Sequence, residues 1–189
     1  MKRRDFLMAM AASAAGTALP ASSVAAATGV AAGKSIAEIQ RDWQTLLAKD
    51  ADVARSVEPI TKTEVEWKKV LPEEGFYVLR KEGTERPFTS PLNDEKRAGI
   101  FTCAGCALPL FSSQMKYDSG TGWPSFFTSI PDHLVTKQDF LLIVPRTEYH
   151  CVRCGGHQGH VFDDGPKPTG QRWCNNGVAL RFIPATGKA

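Results

Sequence analysis

Apolar positions along the chain recur first at helical and then at strand spacing. Ile36, Ile39, Trp43, Leu46 and Leu47 fall on one face of a helical period, and Ser35 with Glu38 makes a capping box at its start. A second box, Thr63 with Glu66, precedes Trp67, Val70 and Leu71. The spacing predicts two helices packed on the body that follows, their aromatic residues belonging to the core. From about residue 76 the pattern changes. "FYVLR" (76–80), "GIFTC" (99–103), "FLLIV" (140–144), "EYHC" (148–151), "HVF" (160–162) and "VALRFI" (178–183) are short runs rich in β-branched and aromatic residues, separated by Gly, Pro, Asp and Ser. Neither a helix–strand alternation of the parallel-sheet kind nor an internal repeat is present. The expectation is a mainly β protein, antiparallel, with short N-terminal helices and one core.

The first residues follow another plan. "MKRRDFLMAMAASAAGTALPASSVAAA" has a basic start, an apolar run from Phe6 to Leu19 and small residues at Ala25–Ala27. That is the layout of an export signal, and the adjacent Arg3 and Arg4 resemble the twin-arginine type used by bacteria. Read as an anchor, the run is short against the roughly 20 apolar residues a spanning helix needs. The division is then a cleaved export signal over 1–27, a flexible leader and N-terminal helix over 28–62, the body over 63–184 and a tail over 185–189, in a protein expected in the periplasm. Setting the signal aside removes three cations and one anion, so the formal net charge falls from +3 to +1. A near-neutral body argues against a nucleic-acid binder, which needs a concentrated basic face.

Four of the five cysteines pair off as "CAGC" (103–106) and "CVRC" (151–154), 44 residues apart. Two C-x2-C pairs, each after a strand-like run and each with a glycine at hand, have the ligand count and local spacing of a tetrahedral zinc site of Cys103, Cys106, Cys151 and Cys154. Four protein ligands leave no open position, so such a zinc is structural. Two other pairings compete: redox or bridging disulfides, favoured by an exported location, and a site in which His150 replaces one thiolate. Thioredoxin-like C-x-x-C pairs open a helix in a βαβ setting, which this pattern lacks.

Cys174, in "RWCNN" (172–176), is left over. A free cysteine is commonly buried and inert, but Arg172 lies two residues before it and "HQGH" brings His157 and His160 into the same region. A cation favours a thiolate, and two histidines supply proton donors. A zinc-stapled binding module has no need of this set. A metal hydrolase would need histidines and a carboxylate around an open site, and no such set is apparent. His133 and His150 read as structural.

"GTERPF" (83–88), "CAGC", "LFSS" (110–113), "SGTGWPSF" (119–126), "CVRCGGHQGHVFDDGP" (151–166) and "RWCNN", in this order over residues 63–184, closely resemble the B-type methionine sulfoxide reductases. The resemblance implies reduction of the R epimer of protein-bound methionine sulfoxide on two antiparallel β-sheets with a remote zinc. It implies Cys174 as nucleophile, His157 and His160 at the sulfoxide oxygen with Asn176 beside them, Trp123 against the methyl group, Arg172 as basic neighbour and Asp164 as the acid of the turn after "GHVF". The residue types suit that chemistry: sulfoxide sulfur is a poor electrophile until its oxygen is hydrogen-bonded or protonated, and thiolate attack leaves a sulfenic acid. Trp173 stands where the family often has tyrosine and Ala107 where it often has glycine. Thr121 stands where many members carry a second, resolving cysteine. The expected partners are therefore oxidised proteins and an external reductant, a thioredoxin-like protein or small thiol, acting on a monomer.

Overall fold

The computed structural model describes residues 33–139 and 146–185, so the signal-like segment and the run 140–144 lie outside the described residues. Helix α1 (Ile36–Arg41) and helix α2 (Glu64–Val70) begin at Ser35 and Thr63, each with both arms of its capping box formed. The first apolar stripe does not run through as one α-helix: after Arg41 the chain tightens into a 3-10 turn over Asp42–Leu46. "FYVLR" departs from the strand expectation and lies in helix α3 (Glu73–Lys81). The helical period wins there because Gly75, Phe76, Val78 and Leu79 form one buried face, while Tyr77 between them is 54% exposed. Glu73 and Glu74 in the first turn and Arg80 and Lys81 in the last complement the helix dipole.

Nine strands follow among the described residues: β1 (Gly99–Cys103), β2 (Pro109–Ser112), β3 (Lys116–Tyr117), β4 (Ser125–Phe126), β5 (Leu134–Asp139), β6 (Arg146–Cys151), β7 (His157–Phe162), β8 (Arg172–Asn175) and β9 (Leu180–Pro184). They form two antiparallel sheets, one in the order β2-β1-β9 and one in the order β3-β4-β8-β7-β6-β5. The mainly β, two-sheet expectation holds. The sheets meet through aromatic residues: Phe101 and Phe111 from the small sheet, Phe126, Tyr149 and Trp173 from the large one. Phe111 stacks on Phe126 at 4.0 Å between centroids, and Trp173 meets Tyr149 edge-on at 4.9 Å. Trp173 also reaches Phe111, so the indole fills core space between the sheets.

Each cysteine pair starts at the C-terminal end of a strand, β1 or β6, and turns back on itself. Ala107 and Gly155 donate to the carbonyls of Cys103 and Cys151, and both take left-handed backbone (φ 58° and 66°). Glycine adopts that conformation freely; alanine does so at a cost of about 1–2 kcal/mol. The segment before α2 crosses both turns: Ala54 N–H donates to Ala107 O and Ile60 N–H to Arg153 O.

The pairing of β7 with β8 requires a glycine. Gly159 faces Asn175 in the ladder, and a Cβ on it would lie 1.9 Å from the Cys174 carbonyl oxygen. Gly159→Ala is therefore expected to part the two strands at this point and destabilise the protein by about 3 kcal/mol or more. Thermal melting measures it; an unchanged transition would show that the strands separate without cost.

Candidate active site

One row of register partners crosses the large sheet. Lys137 of β5 faces Glu148 of β6, Glu148 faces His160 of β7, His160 faces Cys174 of β8, and Cys174 faces Ser125 of β4. Side chains of register partners share a face, so the row sets a thiol, an imidazole, a carboxylate and an ammonium side by side. Trp123, two residues before Ser125, closes one end with its indole N–H on Glu85 O at 3.2 Å. A cavity of about 110 Å³ opens between Trp123, His160, Phe162, Cys174 and Asn176, with Thr84 and Arg146 also lining it.

Burial dominates at Cys174 and pushes its thiol above the ordinary range, with the positive charge of Arg172 and a hydrogen bond from the Thr121 hydroxyl partly opposing the rise. By sequence, Arg172 favours a thiolate; in the enclosed setting burial outweighs that cation. Arg172 does not line the cavity. Its guanidinium forms a two-pronged pair with Asp164 at 2.7 and 2.8 Å and lies over the Phe162 ring. It acts on Cys174 through its charge and through a side-chain hydrogen bond.

The two histidines hold different positions. His160 Nε2 stands 3.0 Å from Asp139 Oδ2. A carboxylate only accepts, so Nε2 carries the proton and Nδ1 is left with its lone pair. His157 is 1% exposed, stands behind His160 at 5.4 Å between ring centroids and does not line the cavity. Its Nδ1 is 3.2 Å from Glu148 Oε2. Burial, then the neighbouring His150 and His160, lowers its pKa to about 4. His160 is lowered too, by burial, with Asp139 opposing. Both rings are neutral near pH 7.

Asn176 lines the cavity but also ties it together: its Nδ2 donates to Gln158 O at 3.0 Å and its Oδ1 accepts from Glu85 N–H at 3.0 Å. Glu85, buried at the centre of "GTERPF", accepts in turn from Gly177 and Val178 N–H at 2.6 and 2.8 Å. The turn after Cys174 is thus fixed from both sides.

The other four sulfurs gather in a separate group in which every pair lies within 4.8 Å, with Cys103 to Cys154 at 3.6 Å and Cys106 to Cys151 at 3.5 Å. With metal–sulfur bonds of about 2.3 Å a tetrahedral site sets its thiolates about 3.8 Å apart, so these residues fit a metal ion. His150 is not among them. Its Nδ1 faces Gly155 O, and its Nε2 joins Glu148 and His157 in a second group of possible donors. Lys137 already brings an ammonium to 3.0 Å from Glu148 there.

The fold thus brings Cys174, His160, Trp123 and Asn176 to one cavity and sets His157 and Arg172 behind it. Sequence reasoning missed Glu85, Asp139, Arg146 and Glu148. Glu148 carried a faint signal, standing two positions before His150 in a strand-like run, and Glu85 lay inside a motif already noted. Asp139 and Arg146 reach the site by strand pairing alone.

Comparison with known proteins agrees with this geometry. The model of the SelR domain matches residues 71–184. The peptide methionine sulfoxide reductase MsrB of Methanosarcina barkeri is 52% identical over 124 residues, covering 65% of this chain and 87% of that protein. MsrB of Hahella chejuensis is 47% identical over 134 residues, 70% and 96% of the two chains. The chloroplastic peptide methionine sulfoxide reductase B1 of Arabidopsis thaliana is 49% identical over 121 residues, 64% and 60% of the two. The chain belongs to the SelR-domain family of B-type peptide methionine sulfoxide reductases.

Proposed function

We propose that the protein reduces the R epimer of methionine sulfoxide in oxidised proteins, with Cys174 as nucleophile. The observation that carries this is Cys174 lying directly across the β7–β8 ladder from His160, in a cavity walled by Trp123. The substrate's methyl group packs on the indole. The Cys174 proton passes to Nδ1 of His160, whose Nε2–H stays on Asp139, and then to the sulfoxide oxygen. The Cys174 sulfur attacks the sulfoxide sulfur to form an S–S adduct. Its S–S bond and its S–O bond to methionine then break as the oxygen bonds to the Cys174 sulfur, which leaves methionine and a sulfenic acid on Cys174. Cysteine sulfur is oxidised by two electrons and methionine sulfur reduced by two. Arg172 and Thr121 steady the developing thiolate, and His157, neutral and buried against Glu148, backs the imidazole that carries the proton.

Zinc is the metal we assign to Cys103, Cys106, Cys151 and Cys154. Bound there it clamps the ends of β1 and β6 and supplies folding free energy rather than catalysis. With those thiols committed and Thr121 beside Cys174, recycling falls to an external thiol. Such a thiol attacks the sulfenic acid, releases water and leaves a mixed disulfide that a second thiol resolves. The signal-like N-terminus supports a periplasmic setting, with repair of exported proteins and a thioredoxin-like or small-thiol donor available there; we take the acting form to be a monomer.

Cys174→Ser is expected to abolish reduction of methionine-R-sulfoxide while leaving the fold and metal content unchanged. Assays on separated R and S epimers, beside metal analysis, test it; equal turnover by the variant would remove Cys174 from the reaction.

Alkylation of Cys174 in the resting enzyme should accelerate with pH through a midpoint above that of free cysteine, because burial holds the proton on. Thr121→Val, which deletes a hydrogen bond to the thiolate, should move that midpoint higher still. A midpoint below free cysteine, read by site-resolved mass spectrometry, would contradict the buried-thiol account.

After one equivalent of substrate without reductant, mass spectrometry should find sulfenic acid trappable at Cys174, zinc retained and no internal disulfide. A bridge from Cys174 to Cys103, Cys106, Cys151 or Cys154, with zinc released, would overturn the external-thiol route.

A further inference from the structure

Four non-glycine residues among those described adopt left-handed backbone: Glu82, Phe88, Ala107 and Asp132. Glu82 ends α3, Ala107 closes a cysteine turn, and Asp132 is of a type that tolerates the conformation. Phe88 differs. It is a bulky aromatic at φ 63°, and it is 73% exposed. Burial does not account for a phenyl ring there, and the backbone would sit more easily with asparagine or glycine.

Its backbone is nonetheless held in place. Phe88 N–H donates to Gly122 O at 2.7 Å, and Asn93 Nδ2 donates to the same oxygen at 2.9 Å. A Cβ on Gly122 would lie 2.8 Å from Phe88 Cδ2, so the glycine makes room for the ring. Gly122 immediately precedes Trp123. A cavity of about 320 Å³ opens beside this pair, lined by Phe88, Lys116, Tyr117, Asp118 and Trp123 among others. Trp123 lines both this cavity and the one holding Cys174. The two spaces are neighbours with one indole in common.

We propose that the cavity beside Phe88 receives the side chain of a residue flanking the methionine sulfoxide of a polypeptide substrate, with Phe88 as its apolar wall. This rests on the reductase reading and adds to it a contact that the polypeptide makes outside the sulfoxide itself. Continuity through Trp123 selects that occupant. With a methyl sulfoxide on one side of the indole, the adjoining chain can pass over the other side into this second space. In an extended peptide, residues two apart project to the same side about 7 Å from each other, a span that one indole between two pockets can bridge. Strain beside a reacting centre, kept in an exposed aromatic, is characteristic of a ligand contact.

Steady-state kinetics on three R-epimer substrates test the proposal: free methionine sulfoxide, a blocked pentapeptide with glycine at all flanking positions, and one with leucine two residues either side of the sulfoxide. The wild type should prefer the leucine peptide. Phe88→Asn, which suits the backbone, should leave the melting temperature no lower and turnover of the free amino acid unchanged. It should cut kcat/KM for the leucine peptide about tenfold, the scale of one aromatic contact, and erase the preference. A wild type active on the free amino acid but indifferent to flanking leucine, or a variant equally impaired on all three, would sink the subsite and leave the reductase reading intact. A wild type inactive on all three would bring down both.

Discussion

The ladder between β7 and β8 is the constraint on which the site depends. It sets His160 opposite Cys174, and it tolerates no side chain at position 159, where the Cys174 carbonyl oxygen occupies the space of a Cβ. A closer approach of the strands than most residues allow fixes the Cys174 thiol opposite the His160 imidazole through backbone rather than through flexible side chains. The neighbouring strands extend the same logic. β6 supplies Glu148 and Arg146, β5 supplies Asp139 and Lys137, and each arrives by register. A row of chemistry four strands wide thus needs few side-chain contacts to assemble.

Its electrostatics follow from enclosure. A cation near a thiol is usually read as a thiolate signal, yet Arg172 is already bound in both prongs to Asp164, and burial of Cys174 outweighs what remains. The same enclosure keeps both imidazoles neutral. A buried thiol beside a neutral imidazole holds its proton until there is somewhere for it to go.

Much of this was legible in the chain. Both capping boxes were, since Ser35 with Glu38 and Thr63 with Glu66 act within one turn. So were the cysteine pairs, whose spacing reflects a local turn, though that the four sulfurs converge needed the fold. "FYVLR" misled because its β-branched and aromatic character is an intrinsic preference. The helix was decided by which residues found the core, with Tyr77 turned outward. Asp139, Arg146 and Glu148 were invisible as site residues because nothing close to them in sequence names their partners across the ladder. The sequence groups His157 and Arg172 with Cys174, but sequence proximity cannot tell a residue that faces the cavity from one that stands behind it.

The segment ahead of α2 donates a backbone hydrogen bond to one carbonyl in each cysteine turn, Ala54 N–H to Ala107 O and Ile60 N–H to Arg153 O. It can lie down fully only when both turns have their closed shape. Docking of the arm and closure of the sulfur group are therefore reciprocal. Whatever free energy the closed group lends to the arm's attachment, the attached arm returns to the group. A stretch outside the matched SelR domain acts in this way as a latch on the two cysteine turns.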